Sequence, residues 1–505
     1  MITGNLQRGG LKLEAVPDLI GRCRVYGTLT GECVGITHDS RQVQPGMIFA
    51  ALRGTRTDGA VFTDQAIDNG AVAIVGCGLD LLSRRVPYVE VDAPRMAMAD
   101  IACALYGFPT RRMKTVGVTG TNGKTTVTFL IRDILRAASL RPGLVGTLRY
   151  EVGERLIPSS RTTPESPVLQ QMFDEMLRCG CDSVVMEVSS HALVQERVRG
   201  IDFDVSVFTN LTQDHLDYHR TVDEYFQAKS RLFARGKLAG KDTRMVVNID
   251  DAWGRKLALR GGSGGLLLTY GMQPEARVQA QEISASVEGI RFRAITPWGD
   301  AEIKIPMLGR FSLSNALAAL ATGGALGIDF ETMAHALQQV EPVPGRLERI
   351  PNDRGVNVFV DYAHTPDALE NVLKSLGEVT GGRLISVFGC GGDRDRMKRP
   401  SMGGVSTRHA DVTILTSDNP RSEDPGMIIA EIAEGCENRG SVHRIPDRRE
   451  AISEAISLAS PGDCVLIAGK GHESVQVIGE ESIRFDDRDV AREVLDNMDR
   501  GQRGF

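Results

Sequence analysis

Apolar residues along this chain fall into short β-branched runs separated by stretches of helical periodicity, and that alternation predicts its elements. In residues 1–105, Met47–Leu52, Ala71–Val75 and Val86–Val91 read as strands and Phe62–Asn69 as a short helix, with Gly-rich turns between them. A second block, 106–341, opens with the strand Thr115–Thr119, a Gly-rich turn and a helix from Lys124 to about Ala138. Strands Ser183–Val188 and Asp204–Thr209 follow. Strands that are apolar throughout and alternate with helices form parallel sheets covered on both faces. Strand-like alternation from Leu266 to Met307 predicts a small antiparallel addition, and Leu313–Leu326 reads as a helix. A third block, 342–505, carries strands Val356–Val360, Leu384–Phe388, Val412–Leu415 and Cys464–Ile467, with helices such as Pro366–Leu376 and Glu450–Leu458.

Composition narrows the class. The 505 residues suit about three domains at roughly 100–200 residues each. Apolar residues at 42% and charged residues at 25% make an ordinary globular mixture, and the net charge of -6 is spread without blocks. That balance gives no footprint for a nucleic-acid partner. The nine cysteines are odd in number and form no Cys-x-x-Cys pair, as expected of a reduced, cytoplasmic protein. Residues 1–19 lack a basic segment followed by an apolar one, so no signal peptide is expected. No apolar run reaches the length of about 18 residues that a membrane span requires.

Chemistry enters at Thr119-Gly120-Thr121-Asn122-Gly123-Lys124-Thr125-Thr126, between a strand and a helix. Glycines there let backbone N–H groups curl around a phosphate, and the helix N-terminus adds roughly half a positive charge. Lys124 is placed to reach the β- and γ-phosphates and Thr125 to sit on Mg²⁺. The loop departs from the general P-loop pattern at Val118, where a glycine is usual. Glu187 ends an apolar strand at the sheet edge where ligands bind, and a carboxylate there suits a hard cation. His215 follows another strand; by itself it reads more readily as a structural histidine, and the shared sheet edge shifts it toward function. The fold class is therefore α/β in three domains, with a central P-loop parallel-sheet ATPase domain and a Rossmann-like C-terminal domain.

Further segments join the loop: Met186-Glu187-Val188-Ser189-Ser190-His191, Asn210–His219, Asn315, Gly345-Arg346, Asp361–Pro366 and Asp418-Asn419-Pro420-Arg421. Together they resemble the Mur ligase family over nearly the whole chain, a family whose own loop accommodates Val118. The resemblance implies a cytoplasmic ligase of peptidoglycan precursor synthesis. ATP phosphorylates a carboxylate of a UDP-MurNAc-peptide, and the amino group of an incoming amino acid attacks the acyl phosphate. The resemblance assigns ATP to Gly120–Thr126, Asn315, Arg346 and Asp361, and Mg²⁺ to Thr125, Glu187, His215 and Lys229, the last as a carbamate. Lys124, Lys229 and His215 are its catalytic residues. Without the resemblance, Lys229 reads as an exposed helix lysine and Asn315 as a helix cap. UDP-MurNAc-dipeptide falls to His38, Ser40, Thr55, Arg56, Thr57, Thr162, Thr163, Ser189, Gln195 and Arg197. A monomer acting on small-molecule substrates is expected.

The third block points to the amino acid. Arg394, Asp418–Arg421 and Gly469–Glu473 each follow a strand of one parallel sheet, so their loops leave one edge and can meet on one ligand. Arginines beside carboxylates suit a zwitterion. Asp418-Asn419-Pro420-Arg421 matches the family's motif for meso-diaminopimelate, whose second carboxylate Arg421 can grip with two parallel hydrogen bonds. Arg394, Asp418, Asn419, Pro420, Arg421, Gly469 and Glu473 form the expected set. By itself Asp418–Arg421 reads as a turn opening a helix. Gly389-Cys390-Gly391-Gly392 lacks dinucleotide-fingerprint spacing. Two alternatives remain at this point: the same ligase adding L-lysine, and a P-loop ATPase that does not ligate.

Overall fold

A computed structural model describes residues 10–54, 57–78, 85–234, 242–261, 267–437 and 440–502. The chain forms two compact units, Met1–Leu268 with Thr322–Ile328, and Thr269–Ala321 with Asp329–Phe505.

Besides the two-stranded pair Leu11–Lys12 and Glu32–Cys33, the first unit holds two sheets. The smaller runs Arg24–Tyr26, Tyr88–Glu90, Ala73–Gly76, Met47–Ala50, Gly35–Thr37, parallel except at its first junction. The helix Pro94–Leu105 buries Ala97, Met98, Ile101 and Ala102 in its core. In the larger sheet, Lys114–Thr119 lies between Ser183–Glu187 and Val205–Phe208, parallel to both. Pro142–Val145 and Arg244–Asn248 extend it in parallel on either side. Apart from Lys114 and Arg244 at their starts, these strands are buried along their length, which explains why they read as apolar runs without alternation. Val118 lies inside the central strand, paired with Glu187 and fully buried, so the turn that needs glycine begins only at Gly120.

The second unit contains three antiparallel strands, Val278–Ser286, Gly289–Thr296 and Gly299–Ile305, which match the expected addition; Leu266 itself lies outside the described residues. Its main sheet runs Glu348–Ile350, Asn357–Asp361, Cys464–Ala468, Leu384–Phe388, Val412–Leu415, Ser441–Arg444. All junctions but the first are parallel. Helices Pro366–Gly377 and Lys398–His409 pack on one face, and Arg448–Leu458 and Asp487–Gln502 on the other. Among the described residues no helix is long and apolar enough to cross a membrane.

Candidate functional site

The phosphate loop is built by its neighbours as much as by its glycines. A Cβ on Gly120 would lie 1.8 Å from the Thr209 hydroxyl, so the strand end Val205–Phe208 packs directly behind it. Gly123 takes a left-handed φ of 85° and opens the helix Lys124–Ala137, leaving that helix's first N–H groups toward the loop. The Lys124 ammonium donates to the carbonyls of Gly120 at 3.0 Å and Thr121 at 2.8 Å, folding back across the loop. Asn122 N–H donates to Asn210 Oδ1, and Thr209 Oγ1 donates to the Asn122 carbonyl, so the segment after the third strand braces the loop. Thr126 is buried in the first turn of the helix.

Register carries Glu187 to the loop. It pairs with Val118, and its Oε1 accepts the Thr125 hydroxyl at 3.0 Å and Thr147 N–H at 2.8 Å. The Thr147 hydroxyl completes the set on Oε2. A buried carboxylate beside a hydroxyl is an all-oxygen donor pair that fits a hard divalent cation, which commonly takes one or two carboxylates with phosphate oxygens and water. Among the described residues no group of three or more His, Cys, Asp or Glu is arranged to hold a metal. His215 has a left-handed backbone (φ 53°) and a half-exposed ring stacked edge-on to His191 at 5.0 Å, which is not the setting of a buried structural histidine.

Lys229 corrects its plainest reading. It is 1% exposed, on the buried face of the helix Val222–Ala234 with Tyr225 and Leu232. Its Nζ donates to the Gly120 carbonyl at 2.7 Å and lies 4.4 Å from the centre of the Tyr225 ring. Burial, reinforced by the Lys124 charge, drives its pKa well below the ordinary lysine range, against a smaller opposing pull from Asp214.

Thr162 and Thr163 lie beside Glu187: the two hydroxyls Thr147 Oγ1 and Thr162 Oγ1 are 3.0 Å apart, and Thr163 Oγ1 donates to the Glu187 carbonyl. Ser189 N–H donates to the Thr163 hydroxyl, while the Ser189 hydroxyl caps the helix Ser190–Val194. Arg197 donates to Gln195 Oε1 and the Thr163 carbonyl. These five expected residues are therefore one cluster. At its centre is a residue that the sequence did not flag, Glu165, which meets Arg197 at 3.0 Å, Arg161 at 2.6 Å and Arg95 at 3.5 Å. One carboxylate cannot neutralise three guanidiniums, so this corner favours an anion. His38 faces the same corner; burial lowers its pKa, with Glu165 opposing. Ser40 is buried and donates to Gln65, and Thr57 is exposed in a turn. Thr55 and Arg56 lie outside the described residues.

In the second unit the expected convergence is present. The loops after Leu384–Phe388, Val412–Leu415 and Cys464–Ala468 leave one edge of the sheet. Asn419 Nδ2 donates to Glu473 Oε2 at 2.8 Å, and a Cβ on Gly469 would come within 2.6 Å of Asp418. Arg421 Nη1 donates to the Gly392 carbonyl at 2.6 Å. Asp418, Arg394, Glu473 and Arg346 all act electrostatically on Tyr362, whose ring lies 4.6 Å under the Arg346 guanidinium. Asp418–Arg421 does not open a helix: the next one, Pro425–Ala433, is capped by Asp424. Instead the loop is bonded to the hairpin Val475–Ile478/Glu481–Arg484 through Arg421 N–H to the Val477 carbonyl and Gln476 Nε2 to the Asp418 carbonyl. Pro420 is buried there. Asn315 is buried well inside the helix Arg310–Ala325 and caps nothing. Asp361 accepts from Leu347 and Ala363 N–H, and burial raises its pKa against the Arg346 charge.

Two buried cations behind this site left no mark in the sequence pattern. Lys470 donates to Asn419 Oδ1 at 3.2 Å and the Val475 carbonyl at 2.5 Å. Arg448, paired with Asp487 at 2.6 Å with both side chains fully buried, donates to the carbonyls of Ser417 and Ala468 at the ends of two strands. His472, against Tyr362, has its pKa pushed down to about 3 by burial and the Arg346 and Arg488 charges. Below its ordinary value of 6.5 the unfolded chain takes up a proton that the buried ring resists down to about pH 3, so stability should fall across that window. His472→Gln should show a shallower loss of melting temperature between pH 6.5 and 4 than the wild type; equal slopes would mean the ring is not buried neutral.

A phosphate loop on a parallel sheet, a carboxylate beside its threonine and a sheet edge lined by arginines and carboxylates define a P-loop nucleotide-binding α/β protein with a second candidate ligand site. Three family models match the chain: Mur ligase family, catalytic domain, over 32–106; Mur ligase middle domain over 118–323; and Mur ligase, glutamate ligase domain, over 345–471. A protein of Geobacter metallireducens named UDP-N-acetylmuramoyl-L-alanyl-D-glutamate--2,6-diaminopimelate ligase is 44% identical, the match covering 97% of this chain and all of that one. A Geobacillus kaustophilus protein of the same name is 48% identical over 91% of this chain and 94% of its own. A solved structure with that name superposes with a TM-score of 0.70 at 33% identity, covering 97% of this chain and 99% of the other. The chain belongs to the Mur ligase family.

Proposed function

We propose that this chain is an ATP-dependent ligase that joins meso-2,6-diaminopimelate to UDP-MurNAc-L-Ala-D-Glu in cytoplasmic peptidoglycan precursor synthesis, acting as a monomer. The observation that carries the choice of amino acid is the cluster of Arg421, Asn419 and Glu473 at one sheet edge. The relatives' names agree with it. The chain works as three domains, 1–105 for the nucleotide-sugar, 106–341 for ATP and 342–505 for the amino acid.

The phosphate loop holds ATP through its backbone N–H groups, and Lys124 turns from Gly120 and Thr121 onto the β- and γ-phosphates. Asn315, Arg346 and Asp361 are the further residues assigned to the nucleotide. Thr125 and Glu187, with His215 and a carbamate on Lys229, would hold Mg²⁺, which when bound neutralises charge on the transferred phosphoryl oxygens. His38, Ser40, Thr55–Thr57, Thr162, Thr163, Ser189, Gln195 and Arg197 orient UDP-MurNAc-dipeptide, whose anionic groups suit the arginine-rich corner around Glu165. The dipeptide carboxylate attacks the γ-phosphate of ATP, releasing ADP and forming an acyl phosphate. The diaminopimelate amine then adds to the acyl carbon, loses a proton and expels phosphate. No residue needs to be a covalent nucleophile; placing the reactants supplies about 7–11 kcal/mol of the barrier reduction. Arg421 and Arg394 grip carboxylates of the amino acid, Asp418, Asn419 and Glu473 its ammonium groups, and Gly469 and Pro420 shape the backbone around it.

Phosphate release from ATP, Mg²⁺ and UDP-MurNAc-L-Ala-D-Glu, measured with meso-diaminopimelate, with L-lysine or with neither, tests this. Release should require meso-diaminopimelate. Preference for L-lysine would overturn the substrate, and release without an amino acid would overturn the ligase.

A further inference from the structure

We infer that Arg399, locked to Glu423, is a positioning residue that holds the two loops presenting Arg394 and Arg421 to the incoming amino acid. The inference deepens the reading of this site and rests on it. Arg399 follows the loop carrying Arg394, in the first turn of the helix Lys398–His409, and is 0% exposed, so it offers nothing to a ligand directly. Its guanidinium grips Glu423 with both forks, Nη1 to Oε2 and Nη2 to Oε1, each at 2.9 Å. Nη1 also donates to Glu431 at 2.7 Å and Nη2 to the Gly391 carbonyl at 3.3 Å. Glu423 Oε1 in turn accepts Asp393 N–H at 2.7 Å. One planar cation thus ties Gly391 and Asp393 of the first loop to Glu423 of the second, a geometry that a lysine cannot reproduce.

The loops need such a tie. Asp393 and Arg421 both have left-handed backbones, φ 53° and 52°, which residues with a Cβ adopt reluctantly. Between them the chains touch: Gly392 N–H donates to the Asn419 carbonyl at 2.9 Å, and a Cβ on Gly392 would lie 1.8 Å from the Pro420 carbonyl. The Arg421 side chain is aimed by its bond to the Gly392 carbonyl, so any slip of the first loop moves the guanidinium itself. A displacement of about 1 Å in a positioned group costs on the order of 10²-fold in rate.

The test uses the full-length enzyme, first as wild type with meso-diaminopimelate and with L-lysine, then as Arg399→Lys and Glu423→Gln. The variants should raise the KM for meso-diaminopimelate roughly tenfold or more and lower its preference over L-lysine by a similar factor, with the KM values for ATP and UDP-MurNAc-dipeptide within about twofold. Glu423→Gln keeps the side chain's volume at a partly exposed position, so it reports even if Arg399→Lys fails to fold. Unchanged amino-acid KM and preference in Glu423→Gln, or an equal rise in all three KM values, would overturn the lock. If the wild type prefers another amino acid, the substrate reading fails, and the lock is scored on the KM for that amino acid.

Discussion

Lys229→Ala should lower kcat by about 10²–10³-fold, the loss typical of removing one preorganised charge from a transition state. The KM for ATP should change little. The expectation starts from solvation. An amine that is 1% exposed and flanked by the Lys124 charge is disfavoured as an ammonium ion. Held neutral, it has a free electron pair that can bond to the carbon of CO₂; the nitrogen then loses a proton and the product is a carbamate anion. Such an anion beside the phosphate loop would supply oxygen ligands that Glu187 alone does not. Arginine at this position stays protonated and cannot form the adduct, so Lys229→Arg should be equally impaired. Depleting CO₂ and bicarbonate should reversibly lower wild-type kcat and leave both variants unaffected. A Lys229→Ala enzyme within tenfold of wild-type kcat would remove the lysine from the catalytic set.

Arg421→Ala should abolish the distinction between meso-diaminopimelate and L-lysine, a loss of roughly 10⁴-fold in relative kcat/KM if the site behaves like others that hydrogen-bond a distinguishing polar group. The two amino acids differ by one carboxylate. A guanidinium held at the Gly392 carbonyl has forks left for that carboxylate, whereas with lysine bound those forks would be desolvated without a partner. ATP affinity, measured separately by equilibrium binding, should stay within about threefold, since this loop belongs to the proposed amino-acid site. Parallel losses in ATP binding and amino-acid selectivity would show that the substitution collapses the fold instead.

Most of the architecture was legible because buried parallel strands are apolar along their whole length. Thr115–Thr119, Ser183–Val188 and Leu384–Phe388 each lie within a residue of the observed strand. Loops after such strands must leave the same sheet edge, which is why the meeting of Asn419 with Glu473 from another loop could be foreseen. The burial of Lys229 was readable in retrospect: it falls four residues after Tyr225 and three before Leu232, on the apolar stripe of its helix. Charge type outweighed position in the plain reading. Arg399, Arg448 and Lys470 were not readable at all. A buried cation is chosen by distant partners such as Glu423, Asp487 and, for Lys470, Asn419, and nothing in its local periodicity separates it from a solvated one. Glu165 was missed for the same reason, since two of its three arginines, Arg95 and Arg197, come from distant segments.

The pair between Arg448 and Asp487 bears on how the enzyme comes off the ribosome. Arg448 fastens the carbonyls at the ends of two strands from which the amino-acid loops spring, yet its counter-charge arrives with the helix Asp487–Gln502. Every other residue proposed for this site has been synthesised before Asp487. Until that helix docks, a guanidinium destined for the interior lacks its anion. The proposed amino-acid site therefore stays unset until translation has passed Asp487.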